Sequence, residues 1–352
     1  MSWTPTGRRD HAWTHPDLEE HAVSTLPTRS LGRLEVSAIG FGAMVLSPGM
    51  YGEGDDARGL AALRHAFDHG ATFVDTSDGY GDDGHNERLV GRALRGRRDG
   101  IAVATKFGFS LPDGVEPHPF PVGFAFGELA VNCDPRHIRG YAEKSLRNLG
   151  TEVIDLYYPH FPDPQVPIED TAGAVGELVA DGLVRYFGLS NVTADQLRRA
   201  HAVHPVQAVQ TEWSMWRPAE PGLLAAAREL GVGLVAWSPL GAGFLTGTVD
   251  KIEDGDFRKN NPRFDDANLA ANRDSYAAVQ KIASELGVSP GRLALAWLLH
   301  RGPDVVPIPG SRTPAHIEEN LASARVELSA DVLARIDDAL SDVTTSGGTL
   351  LR

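Results

Sequence analysis

The sequence predicts a single (β/α)8 TIM barrel, and three observations carry that prediction. Short apolar runs alternate with amphipathic helical runs along one continuous chain of 352 residues. Eight of those runs have strand character, as a closed parallel barrel requires. The Gly-x-Gly-x-x-Gly fingerprint that a doubly wound sheet places between its first strand and helix is missing. A β-hairpin at the N-terminal side, a long loop after strand three and extra C-terminal helices complete the expected architecture.

Taken in order, Leu31-Gly-Arg-Leu-Glu-Val36 reads as a hairpin plugging the bottom of the barrel. Strands are expected at residues 38–42, 72–75, 101–105, 153–158, 184–189, 208–210, 233–237 and 305–308. Between them lie helical runs at 56–69, 86–94, 135–149, 168–181, 193–201 and 221–230. Gly70, Gly150, Gly182 and Gly231 follow last helical turns, where a left-handed cap is wanted. Ser289-Pro290 supplies an N-cap and an N1 proline for a helix through His300. The first strand ends Gly40-Phe-Gly-Ala-Met44, and a Gly- and Pro-rich loop follows it before any helix. The other glycine cluster, Gly241-Ala-Gly-Phe-Leu-Thr-Gly247, comes after strand seven, where a barrel keeps its phosphate sites.

Composition narrows the function. A net charge of −14 argues against nucleic-acid or acidic-membrane partners, so an anionic ligand must be held by a few local cations and amides. The single cysteine, Cys133, fits a reducing, cytoplasmic setting. No apolar run approaches the roughly 20 residues that span a bilayer. Residues 1–28 read as a partly ordered extension, 29–345 as the barrel and 346–352 as a tail. His11, His15 and His21 in the extension lack companion ligands, and no His/Asp/Glu set gathers at strand ends, so no metal is expected.

The chemistry is expected at the C-terminal strand ends, where barrels keep catalytic groups. Those ends carry Asp75, Tyr80 shortly beyond it, Lys106 and His160. Reducing a carbonyl needs a hydride on carbon and a proton on oxygen. A tyrosine, with its ordinary pKa of about 10, is a weak acid unless a cation such as lysine stabilises its phenolate. An aspartate keeps that lysine charged, and a neutral histidine orients the carbonyl. Each residue alone is ordinary; the set is one device.

The segment Thr72-Phe-Val-Asp-Thr-Ser-Asp-Gly-Tyr-Gly81, with Asn86-Glu87 and Val90-Gly91 after it, resembles the first signature of aldo-keto reductases. Ala104-Thr-Lys-Phe-Gly108 and Asp155-Leu-Tyr-Tyr-Pro-His160 look like that family's lysine and histidine motifs. The resemblance runs over residues 29–340 and is nearest the bacterial branch that also resembles potassium-channel β subunits. It implies an NADPH-dependent, A-face reduction of a small carbonyl compound, with Asp75, Tyr80, Lys106 and His160 as the tetrad. It further implies nicotinamide contacts from Ser190, Asn191, Gln210 and Trp237, with Gly42, Met44 and Asp75 near the same end. Ser238, Pro239, Leu240, Gly243 and Leu245 would border the pyrophosphate, in a segment whose backbone amides are expected to be unblocked by side chains. Gly310, Ser311, Arg312, His316, Glu319 and Asn320 would hold the adenosine end, with Arg312 chelating the 2′-phosphate through two N–H donors. Arg258 and Lys259 offer further cations, or only a basic loop.

Two departures leave the substrate open. Phe161 follows His160 where relatives often have arginine, and residues 107–134 form a long loop with Phe109, Phe120, Phe124 and Phe126. With Trp213, Met215, Trp216, Met44 and Tyr51, that loop makes either a pocket wall or a plain edge cover. The channel-β resemblance also permits an NADPH-sensing subunit with little turnover. Oligomeric state is left open.

Overall fold

The computed structural model describes residues 26–252 and 255–351, so the histidines of the extension lie outside the described residues. Strands β1 (Thr28–Leu31) and β2 (Leu34–Ser37) form an antiparallel hairpin. The barrel then runs β3 (Phe41–Gly42), α1 (Asp56–Asp68), β4 (Phe73–Asp75), α2 (His85–Leu94) and β5 (Ala102–Phe107). A second antiparallel hairpin, β6 (His118–Pro121) and β7 (Glu128–Val131), occupies the long loop. Next come α3 (Pro135–Leu149), β8 (Ile154–Pro159), α4 (Ile168–Ala180), β9 (Val184–Ser190) and α5 (Ala194–Val203). They are followed by β10 (Val206–Glu212), α6 (Pro221–Glu229) and β11 (Gly233–Trp237). The chain ends with α7 (Asp266–Glu285), α8 (Pro290–Leu299), β12 (Val305–Pro307), α9 (Pro314–Ala322) and α10 (Ala330–Ser341).

Eight strands are parallel in the order β3-β4-β5-β8-β9-β10-β11-β12. The Gly40 amide donates to the Pro307 carbonyl at 3.0 Å and the Gly42 amide to the Pro309 carbonyl at 3.3 Å, which joins the first strand to the last. A Cβ on Gly42 would sit 2.5 Å from the Ile308 carbonyl oxygen, so this seam closes only around a glycine.

Two cores result. Leu31, Leu34, Val36, Phe73, Ala104, Leu156, Tyr158, Ala208, Val235, Val306 and Ile308 pack inside the cylinder and its floor. A larger apolar layer lies between the strands and the helices. Leu31 is the plug: its side chain is fully buried, a position worth about 1.5–3 kcal/mol, and it rests on Gly233.

Most expected boundaries hold within two residues. The first strand is shorter than expected, because only Phe41 and Gly42 pair with β4, while the sixth extends to Val206 and Glu212. The caps form as read. Gly70, Gly150, Gly182 and Gly231 all have positive φ, and the Ser289 hydroxyl accepts from the Arg292 amide.

Candidate active site

The tetrad is assembled by three adjacent strands. Asp75 ends β4, Lys106 lies near the end of β5, and His160 directly follows β8. Tyr80 arrives on the loop after β4, whose turn is pinned by the Asp78 amide on the Lys106 carbonyl (3.1 Å). The buried Lys106 ammonium donates to Asp75 Oδ1 at 2.5 Å, to the Thr76 carbonyl at 2.9 Å and to Tyr80 Oη at 3.1 Å. The other oxygen of Asp75 accepts from Gln210 Nε2 at 2.7 Å. Thus Gln210, expected beside the nicotinamide, orients the tetrad's carboxylate.

Burial pulls the Lys106 ammonium down, but Asp75 and Tyr80 more than offset it, so the net shift is upward and the group stays charged. For Tyr80 the expectation of a lowered phenol is corrected. Burial pushes it above its ordinary value, and Lys106 pulls it only part of the way back. Burial and the Lys106 charge hold the His160 imidazole well below its usual range, so it is neutral. Tyr80 and His160 meet edge to face, with ring centroids 5.5 Å apart, and both keep a partly exposed edge at the mouth.

Residues within the signature do further work that no spacing rule reveals. Ser77 Oγ lies 2.9 Å from His160 Nδ1 and 3.3 Å from Asp78 Oδ1. Asp78 is buried and accepts from the amides of Phe109 and Ser110. Burial, then the nearby Glu87 charge, push its carboxyl up to about 7. Asn86 and Glu87 are structural ties: Asn86 bonds Thr76, Ala43 and Ser47, and Glu87 accepts from Thr105 and Asn148. Phe161 stacks flat on His160 at 4.9 Å, and Phe109 and Phe120 extend that wall. Phe124 and Phe126 instead join Phe257. Trp213, Met215 and Trp216 are buried packing residues; Trp216 is stacked on Phe244 at 4.0 Å.

The opposite rim is built largely from main chain. Ser190 ends β9 and is buried; Asn191, at φ 60, bonds the His160 carbonyl and accepts from Trp237 Nε1 at 3.0 Å. Trp237 is thereby fixed at the end of β11, half-exposed. Met44 lies in a short 3-10 turn beyond Gly42, also half-exposed. Beyond Trp237, Ser238, Gly241, Ala242 and Gly243 all take positive φ. The expectation of free amides there is corrected, because the turns are tight. The amides of residues 241 and 243–245 donate to loop carbonyls, and that of Ala242 to Ser238 Oγ. Pro239 and Leu245 are buried, so their side chains pack, while Leu240 is half-buried.

Arg312 departs from the expected two-donor clamp. Its Nε donates to the Val45 carbonyl, and its Nη1 to the carbonyls of Tyr51 and Glu53. Only Nη2 is left, buried and without a partner among the described residues. Arg58, missed in the sequence, donates to the Arg312 carbonyl and to Thr313 Oγ1. Gly310 packs on the Gly42 carbonyl, and Ser311 Oγ accepts from the Thr313 amide ahead of α9. His316, Glu319 and Asn320 lie on α9, with His316 exposed. Arg258 pairs with Asp256 and donates to the Ala242 carbonyl, so it braces the glycine loop.

Comparison with known proteins decides the lineage. A sequence model of the Aldo/keto reductase family matches residues 38–341. The chain belongs to that family. It is 40% identical over 318 residues to a probable aldo-keto reductase 1 of Glycine max, covering 89% of this chain and 88% of that one. It is 41% identical over 333 residues to the aldo-keto reductase yakc [NADP(+)] of Schizosaccharomyces pombe, covering 92% and 94%. Among solved structures, the glycerol dehydrogenase AKR11B4 of Gluconobacter oxydans superposes with a TM-score of 0.75 at 27% identity, over 92% of this chain and 97% of that one. The aldo-keto reductase AKR11C1 of Bacillus halodurans, at 23% identity and a TM-score of 0.71, shares the fold. No helix among the described residues of this aldo-keto reductase is long and apolar enough to cross a membrane.

Proposed function

We propose that this aldo-keto reductase uses NADPH to reduce an aldehyde or ketone, with Tyr80 delivering the proton. One observation carries the reading: the Lys106 ammonium bonds the Asp75 carboxylate, a backbone carbonyl and the Tyr80 hydroxyl at once. The chain fits the cofactor at its two ends. Trp237, Asn191 and Ser190 offer a fixed aromatic face and polar groups beside the tetrad. At the far side, the orphaned Nη2 of Arg312 offers a buried cationic donor suited to a 2′-phosphate.

NADPH, when bound, would supply the hydride. The chain's own residues handle the proton. A phenol held above its ordinary value stays protonated at neutral pH, as an acid must. When Tyr80 gives up that proton, Lys106 stabilises the phenolate, and Asp75 keeps Lys106 charged and aimed. His160, being neutral, carries one ring proton. If Ser77 donates to Nδ1, that proton stays on Nε2, free to orient the substrate oxygen. Phe161, Phe109 and Phe120 make the adjoining wall apolar, which favours a carbonyl with a hydrophobic or planar substituent.

The test follows NADPH consumption with a panel of small aldehydes, 1,2-dicarbonyls and ketones. Tyr80→Phe should lower turnover by about 10²–10⁴-fold while NADPH still binds. Unchanged turnover in that variant would overturn the acid role.

A further inference from the structure

We propose that His65, His69 and Glu318 form a Zn2+ site on the outer surface of the barrel, across its closing seam. His65 lies in the last turn of α1 and His69 caps that helix four residues on, which puts both imidazoles on one face. Their ring centroids are 4.0 Å apart. Glu318 reaches them from α9: its Oε1 is 2.8 Å from His65 Nε2 and 3.9 Å from His69 Nε2. One ligand atom from each residue falls within 4.8 Å of the other two.

Zinc bonds of about 2.0–2.2 Å in a tetrahedron place ligand atoms roughly 3.3 Å apart. The two separations to Glu318 bracket that value and the third lies within 4.8 Å, so side-chain rotation closes the triangle around the ion. Orientation is already set for one ligand. His69 Nδ1 is bonded to the His65 carbonyl at 2.8 Å, which puts its proton on Nδ1 and leaves the Nε2 lone pair on the shared face. In the metal-free chain His65 Nε2 contacts Glu318 directly; zinc takes the place of that contact when His65 carries its ring proton on Nδ1, which frees the Nε2 lone pair. The side chains are 24%, 44% and 53% exposed, so water can fill the fourth position. Two imidazoles and one carboxylate suit zinc over magnesium or calcium, which prefer all-oxygen shells. The partial negative charge at the C-terminus of α1 adds to the attraction.

The place in the fold gives the site a role. α1 follows the first barrel strand and α9 the last, and among the described residues the backbone bonds joining those strands are Gly40–Pro307 and Gly42–Pro309. Arg58 already ties the start of α1 to residues 312 and 313 ahead of α9. Zinc would tie the other end of α1 to α9, clamping the seam and the helix behind Arg312. This inference does not rest on the proposed reaction.

The test takes the full chain, stripped of metal, and titrates it with ZnCl2, with MgCl2 as the control. Bound zinc is read by equilibrium dialysis and the unfolding midpoint by calorimetry. One Zn2+ per chain is expected, with a midpoint rise of about 4 °C at zinc a hundredfold above its Kd and none with magnesium. His65→Ala or His69→Ala should weaken binding about tenfold or more, and Glu318→Gln should weaken it while keeping the side chain's size. His11, His15 and His21 stay in every variant. Binding that survives loss of His65 and His69 therefore overturns the site, as does failure to bind zinc. Zinc bound at the trio with no change of midpoint overturns the clamp.

Discussion

The two halves of the barrel rim hold their groups by opposite means. On the β4–β5–β8 side, charged and polar side chains hold one another: Asp75 to Lys106 and Gln210, Lys106 to Tyr80, Ser77 to His160. On the β9–β12 side, beyond the Trp237–Asn191 bond, the work falls to main chain in left-handed turns and to an arginine whose donors are mostly spent on carbonyls. Side-chain pairing gives a site that is formed before any ligand arrives. Main-chain shaping gives one that leaves the buried Nη2 of Arg312 without a partner among the described residues. The first half should be sensitive to loss of chemistry, the second to loss of fit.

The largest expected effect lies in the side-chain half. Lys106→Met removes the cation beside Tyr80 and leaves Asp75 buried and unpaired. Turnover should fall about 10²–10⁴-fold, with a stability loss of about 3–5 kcal/mol by denaturant titration. A variant that keeps its rate would erase the contrast between the halves. Next comes Arg312→Ala, which removes one charge-assisted bond worth about 1.5–3 kcal/mol. The KM for NADPH should rise roughly 10–100-fold and that for NADH far less. Equal losses with both cofactors would take the 2′-phosphate away from Arg312.

Gly241→Ala probes the main-chain shape. Gly241 sits at φ 58, and a Cβ would lie 2.7 Å from Trp216 Cε3. Melting should report a loss of about 1–3 kcal/mol, with kcat at saturating cofactor nearly intact. A fall in kcat matching that of Lys106→Met would mean the two halves are not separable. The smallest effect is a pH slope at Asp78. Its carboxyl, raised to about 7, keeps a proton in the native state that the unfolded chain gives up near 3.9. The native state therefore loses stability as pH climbs from about 4 to 7. Asp78→Asn removes that slope, so the variant should gain on the parent between about pH 4 and pH 7 in thermal melts. Parallel curves would show that Asp78 titrates normally.

The same division governs what could be read without coordinates. Asp75, Tyr80, Lys106 and His160 were legible because strand periodicity and barrel topology fix which end of each strand faces the mouth. Ser77 and Asp78 lay inside the quoted signature, yet their partners come from the loops after β5 and β8, so spacing alone assigned them nothing. The amides of residues 241–245 looked free because glycines leave them uncovered. Only the folded turns reveal that each is already donating. Gln210, expected beside the cofactor, also bonds Asp75, a partner 135 positions away that no spacing along the chain reveals.

Local rules settled the elements themselves. Alternating apolar runs, helix caps and positive-φ glycines depend on neighbours a few residues away, and most of the expected bounds hold within two residues, the first strand excepted. The partners of long polar side chains did not, because they depend on contacts across hundreds of positions. Arg312 to Val45 spans 267 residues and His65 to Glu318 spans 253. Which of several nearby acceptors an arginine or histidine meets is decided by how the barrel closes, and that closure exists only in three dimensions.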